Sequence, residues 1–169
     1  ILNHLYERFF KAHTGFSSVT STHWQEVGWH EVKKKSDNDW QLKGAGFGDR
    51  TQLNLLNRVR NIGISGALSN MKVCHDCAEG IWETGKRVAR SQKRVFSFDC
   101  AKQILSLNKI ITFLGGGDSR FPLSSGGIQD VCVIGDGYGY LGSLIKTVDP
   151  NVRVTSVNLG RGLFFDAYY

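Results

Sequence analysis

Apolar residues recur at helical spacing in the first two thirds of the chain and gather into short unbroken runs after it. Over Ile1–Ala12, Leu2, Leu5, Phe9 and Ala12 share one face and predict a short amphipathic helix. Thr14–Gly48 has no such period. Trp24, Trp29 and Trp40, the run Lys33-Lys34-Lys35 and the Asp, Asn and Gly punctuation predict irregular structure with one short helix near Trp24–Val32. From Asp49 the helical period returns: Leu55, Leu56, Val59 and Ile62 form one face, and Gly63 is the expected stop. A longer helix is expected over Ser69–Val95. Its apolar side carries Ile81, Trp82, Gly85, Val88 and Ala89, and its opposite side Lys86, Arg87, Arg90, Lys93 and Arg94. Phe98–Leu114 predicts another helix, N-capped by Ser97 or Asp99 and broken by Gly115-Gly116-Gly117-Asp118.

Beyond a Ser- and Gly-rich loop at Ser119–Gln129 the pattern changes. Val131-Cys132-Val133-Ile134 is continuously apolar, as expected of a strand buried on both faces of a parallel sheet. Next come a glycine-rich turn, a helix over about Tyr138–Thr147, a turn at Asp149-Pro150-Asn151 and a β-branched strand at Val152–Val157. The 17 residues from Gly135 to Asn151 suffice for a helical crossover between parallel strands. Such a βαβ unit is right-handed by the general rule.

Composition narrows the classes. Among 169 residues, 41% are apolar and 11% aromatic, enough to build a core. No apolar run approaches the ~18 residues of a membrane-spanning helix, and the N-terminus lacks the layout of a signal peptide. Four cysteines provide one close pair, Cys74-His75-Asp76-Cys77, in a helix-like segment, with no second pair to complete a zinc site. No metal is expected, the cysteines read as structural, and a reducing, cytoplasmic compartment fits them best. The chain begins at Ile1 and closes inside Leu163-Phe164-Phe165-Asp166-Ala167-Tyr168-Tyr169, an apolar run expected to pack against a further C-terminal segment. That reads as a chain cut short, inactive by itself.

Val131-Cys132-Val133-Ile134-Gly135-Asp136-Gly137-Tyr138-Gly139-Tyr140-Leu141-Gly142 carries the most chemistry. Glycines between a strand and a helix let the backbone turn tightly and let a ligand approach closely. The emerging helix N-terminus suits a carboxylate or phosphate. A dinucleotide fingerprint fits poorly: counted from Gly135 its third glycine falls on Tyr140, and counted from Gly137 it starts two residues late. The stretch Val133-Ile134-Gly135-Asp136-Gly137-Tyr138-Gly139 closely resembles motif I of S-adenosylmethionine-dependent methyltransferases with a Rossmann-like fold. With an apolar helix after Gly-Tyr-Gly, it is most similar to the sugar O-methyltransferase family. The specific resemblance covers about Val131–Tyr169, and the upstream match is one of general layout.

The resemblance implies an α/β fold in which a mostly helical N-terminal region, residues 1–118, feeds the first β-α-β of a Rossmann-like methyltransferase sheet, residues 119–169. It implies S-adenosyl-L-methionine as cofactor, with Gly135, Gly137 and Gly139 under its methionine part and Asp136 and Tyr138 flanking it. The acidic residue that holds the ribose hydroxyls in the family corresponds to Asn158, and Val133 stands where many members are acidic. The implied reaction is methyl transfer to a hydroxyl of a small molecule or glycan, with a general base helping. No residue stands out as that base. The five histidines, His4, His13, His23, His30 and His75, read as surface or packing residues. Two other classes stay open. A net charge of +6, with clusters at Lys33–Lys35 and Lys86–Arg94 and the interleaved Trp24, Trp29 and Trp40, is compatible with RNA or nucleotide binding. A solvated helix face and a charged loop account for those clusters more simply. A helical interaction module without catalysis is the third.

Overall fold

A computed structural model describes residues 1–8, 31–36, 39–43, 55–92, 96–118, 122–136, 139–158 and 162–168. These hold six helices and two small two-stranded sheets, a mixed α/β chain. Among them, no helix is long and apolar enough to cross a membrane.

The first helix, α1 (Leu2–Tyr6), lies within the expected Ile1–Ala12. The helix expected near Trp24–Val32 is corrected at its end: Glu31 and Val32 open a strand, β1 (Glu31–Ser36), paired antiparallel with β2 (Asp39–Lys43). Val32 and Trp40 are buried while Lys33, Lys34 and Lys35 are exposed. Three consecutive lysines interrupt the alternation by which a strand is recognised.

A second correction concerns Gly63. Helix α2 (Leu55–Cys74) runs through it and stops twelve residues beyond the expected end at Ile62. A helix-interior glycine costs only about 1 kcal/mol, and burial of Leu68 with partly buried Ile64 and Met71 offsets that. The real stop is at Asp76, in the left-handed region at φ 47°. Its N–H donates to the Val73 carbonyl at 3.1 Å, and the Cys77 N–H reaches back to Lys72 at 3.1 Å. This paired closure satisfies the last carbonyls of the helix. Cys74 is therefore the last residue of α2, and His75-Asp76-Cys77 is the turn that closes it.

Helix α3 (Glu79–Ser91) comes next, then α4 (Phe98–Leu114), whose expected bounds are matched. The Ser97 hydroxyl accepts the Cys100 N–H at 3.4 Å. Gly116, at φ 62°, ends α4 by the same closure as Asp76: its N–H meets Phe113 at 3.4 Å while that of Gly117 meets Thr112 at 2.8 Å.

Strand β3 (Asp130–Ile134), helix α5 (Tyr140–Val148) and strand β4 (Arg153–Val157) form the expected βαβ order, with β3 and β4 parallel. Asp130 pairs with Arg153 in the register and Ile134 with Val157, and an Asp130–Arg153 ion pair closes the open end. The expectation of a strand buried on both faces is corrected. Val133 is 5% exposed, but Ile134 is 79% and Val157 48% exposed, so only one face of this pair is covered, with α5 packed against β4. A single cluster of buried side chains runs from Leu68 through Trp82, Ile104 and Val133 to Val152, joining residues on both sides of 118/119.

The last helix, α6 (Gly162–Tyr168), turns back on the N-terminal elements. Phe164 is fully buried, with its ring 5.2 Å from Trp40 and 6.5 Å from Tyr6. Phe164 and Tyr168 thus pack with α1 and the hairpin.

Candidate functional site

The glycine turn sits where β3 hands over to α5. Gly135 takes φ 72°, a conformation L side chains rarely adopt, and its N–H donates to the Val157 carbonyl at 2.8 Å. That bond ties the turn to the C-terminal end of β4, next to Asn158. A Cβ on Gly135 would meet nothing within 4 Å, so the turn is open on that side. Gly139, also left-handed at φ 67°, is the N-cap of α5. Gly137 and Tyr138 lie outside the described residues.

Asp136 changes what the helix N-terminus can do. Its two carboxylate oxygens accept the Leu141 N–H at 2.9 Å and the Gly142 N–H at 2.8 Å. A helix start leaves its first N–H groups without intrahelical partners and carries a partial positive charge. Here two of those groups are occupied by the chain's own carboxylate. The expectation that they stand unpaired for an outside anion is corrected.

Asn158 lies directly after β4 and is half-buried. A Cβ on Gly162 would fall 2.6 Å from its carboxamide, so the side chain lies against the start of α6. Gly135, Asp136 and Asn158 are thereby gathered at the C-terminal ends of two adjacent parallel strands, the edge where open α/β sheets hold ligands. Gly139 stands one helix start away.

Three residues without a sequence signal build this region. Gln92, the C-cap of α3, donates from Nε2 to the Gly139 carbonyl at 3.2 Å and to Ser143 Oγ at 3.0 Å. Tyr140 donates its phenol to the Gly85 carbonyl at 2.9 Å. Ser143 Oγ donates to Gly139 at 2.6 Å. Sequence separations of 47 to 55 residues hide the first two from any local pattern.

Beside α5 lies a cleft of about 390 Å³, bounded by Ser91 of α3, Gly139, Ser143 and Lys146 of α5, and Ser156 of β4. Its donors are largely committed to backbone: Lys146 Nζ to Pro150 at 2.7 Å and to Val152 at 2.9 Å, Ser91 Oγ to Val88 at 2.8 Å. Of the expected site residues that are described, it takes in Gly139 alone.

The other candidate groups are dispersed. Among the described residues no three His, Cys, Asp or Glu side chains are placed to hold a metal ion. The four cysteines are thiols rather than disulfides, and burial pushes the Cys77 thiol up to about 11. His4 and His75 are exposed, while His13, His23 and His30 lie outside the described residues. Trp40, at 4% exposure within its aromatic cluster, is not available to stack on a base. Trp24 and Trp29 lie outside the described residues, as do Lys93 and Arg94. On α3, Lys86 pairs with Glu83 at 2.7 Å and Arg87 donates to Thr84 at 2.9 Å, so part of the basic face is internally paired.

Comparison with protein families, with curated proteins and with solved structures finds no match to this chain.

Proposed function

We propose that the turn between β3 and α5 is the S-adenosylmethionine site of a Rossmann-like methyltransferase acting on a hydroxyl, with a sugar as the acceptor class. The observation that carries this reading is the Asp136 carboxylate on the N–H groups of Leu141 and Gly142. A dinucleotide site puts pyrophosphate on the helix start. At this one a pyrophosphate would face a carboxylate already in place, at a cost in like-charge repulsion. S-adenosylmethionine carries one carboxylate, but its ammonium and sulfonium leave it net positive, so the Asp136 carboxylate attracts it rather than repels it. The positive φ of Gly135 and the open space over it add room for close approach. Asn158, at the end of β4, has a carboxamide able to accept from and donate to ribose hydroxyls.

S-adenosylmethionine supplies an activated methyl group. In this reading the chain's own part is to hold it by Gly135, Asp136, Gly139 and Asn158, with Gly137 and Tyr138 completing the turn. Positioning is the main demand, because transfer to an oxygen depends on alignment of the two reacting atoms.

Calorimetric titration of S-adenosylhomocysteine into the folded chain, with NAD as control, tests the reading. Micromolar binding of the nucleoside, no binding of NAD, and loss on Gly135→Val in a variant that keeps its circular dichroism are expected. A folded chain that prefers NAD, or binds neither, overturns it.

A further inference from the structure

Gln92 belongs to the helical region, yet its side chain is spent on the glycine turn. It is 4% exposed, and its Nε2 reaches the Gly139 carbonyl and the Ser143 hydroxyl. The orientation of the amide is set by its partner, because a carbonyl oxygen can only accept and must face the NH₂. The same carbonyl also takes the Ser143 N–H at 3.2 Å and Ser143 Oγ at 2.6 Å. Three donors therefore converge on one oxygen, at the residue whose left-handed backbone starts α5. One comes from outside the turn.

The other end of the amide makes this arrangement informative. Gln92 Oε1 is buried and without a hydrogen-bond partner among the described residues. A methionine of similar length would fill the space and leave no buried acceptor stranded. What the amide adds over it is the pair of N–H groups.

We propose that Gln92 is a positioning residue for the ligand turn: the end of α3 fixes the Gly139 carbonyl, and the affinity of the turn for its ligand depends on that contact. The ligand half of this statement rests on the methyltransferase reading, while the conformational half stands without it. Two variants test both. Gln92→Met keeps length and removes both donors. Gln92→Glu places an ionised acceptor against a carbonyl. Asp149→Asn, at the far end of α5, serves as a variant that weakens the same helix without touching the turn.

If wild type binds S-adenosylhomocysteine, Gln92→Met should weaken binding about tenfold, the equivalent of one net hydrogen bond, and Gln92→Glu more. Asp149→Asn should lower the melting temperature and leave the affinity of the folded chain unchanged. A Gln92→Met chain that melts lower but binds as wild type gives Gln92 a packing role only and overturns the proposal. If wild type binds nothing, the methyltransferase reading fails, and amide hydrogen exchange decides the conformational half. The Ser143 N–H, bonded to Gly139, should then exchange about tenfold faster in Gln92→Met than in Asp149→Asn. Equal exchange in the two overturns it.

Discussion

The Tyr140 phenol donates to the Gly85 carbonyl at 2.9 Å, joining the start of α5 to α3 at a position where α3 carries no side chain. A Cβ on Gly85 would lie 2.1 Å from Ile104 Cδ1, 2.5 Å from its Cγ1 and 2.9 Å from the phenol oxygen. Ile104 is fully buried, so its side chain must shift within the core to make room. Gly85→Ala should therefore destabilise the chain by about 1–3 kcal/mol through overpacking. Tyr140→Phe should cost about 1 kcal/mol for the lost hydrogen bond. Urea unfolding measures both. Because alanine gains about 1 kcal/mol over glycine inside a helix, a Gly85→Ala chain stabilised by that full amount would mean that α3 and α4 are not in this contact.

Asp136 has a structural task whatever the turn binds. Its carboxylate satisfies two N–H groups at the start of α5. Asp136→Ala leaves both to water and should cost about 1 kcal/mol, in the usual range for loss of a helix cap. Asp136→Asn retains an acceptor oxygen and should cost less. The ordering is read from equilibrium unfolding. Equal stability of all three chains would remove Asp136 from the helix start.

Asp149 carries the clearest pH dependence. Burial by itself would raise its carboxyl, but the Ser124 N–H at 2.8 Å, the Asn151 N–H at 3.1 Å and the Lys146 ammonium outweigh it and hold it below its ordinary value of 3.8. A carboxyl lowered in the folded state adds stability above its unfolded value, and that stability is lost as pH falls through the folded one. Wild type should therefore melt higher than Asp149→Asn at pH 7, with the gap closing as pH drops below 3.8. Thermal melts across that range check this. A gap that widens with acid would reverse the sign.

The cysteines should separate by burial. Cys77 and Cys100 are buried, with the Cys77 thiol pushed up to about 11, while Cys74 and Cys132 are exposed. Because the thiolate is the reacting form, iodoacetamide at pH 8 should modify Cys74 and Cys132 in the native chain. Cys77 and Cys100 should react only on unfolding. Peptide mass mapping reads the order, and early modification of Cys77 would contradict its placement beneath the end of α2.

Much of the βαβ unit was legible because its signals are local. An apolar run, a glycine turn and a second β-branched run succeed one another within 27 residues, Val131 to Val157, and each means the same thing in any context. Helix α4 was legible for the same reason, between Ser97 and the glycines after Leu114. The hairpin was not, since Lys33-Lys34-Lys35 hides the alternation and Trp40 finds its partner in Phe164, 124 residues on. Gly63 misled because a weak local preference yielded to burial of Leu68. The glycine turn itself was legible between strand and helix, but the capping by Asp136 and the reach of Gln92 were not. A carboxylate that caps its own helix reads in sequence like one awaiting a ligand, and a glutamine 47 residues away carries no mark of its target.

The pairing of Phe164 with Trp40 makes the two ends of the chain depend on each other. A two-stranded hairpin is at best marginally stable in water and needs a third element to cover its apolar side. Here Val32 and Trp40 are covered by Phe164, with Leu2, Leu5, Tyr6 and Tyr168 around them. The Phe164 ring meets Trp40 edge-on at 74° and stacks on Tyr168 at 6.2 Å. Phe164→Ala removes a fully buried ring and should cost about 3–5 kcal/mol. Because this cluster is separate from the one around Ile104, that loss should fall on the hairpin and α1 first. Amide exchange should therefore accelerate across β1 and β2 while α3, α4 and α5 keep their protection. Uniform acceleration through all elements would instead show that the two clusters unfold as one.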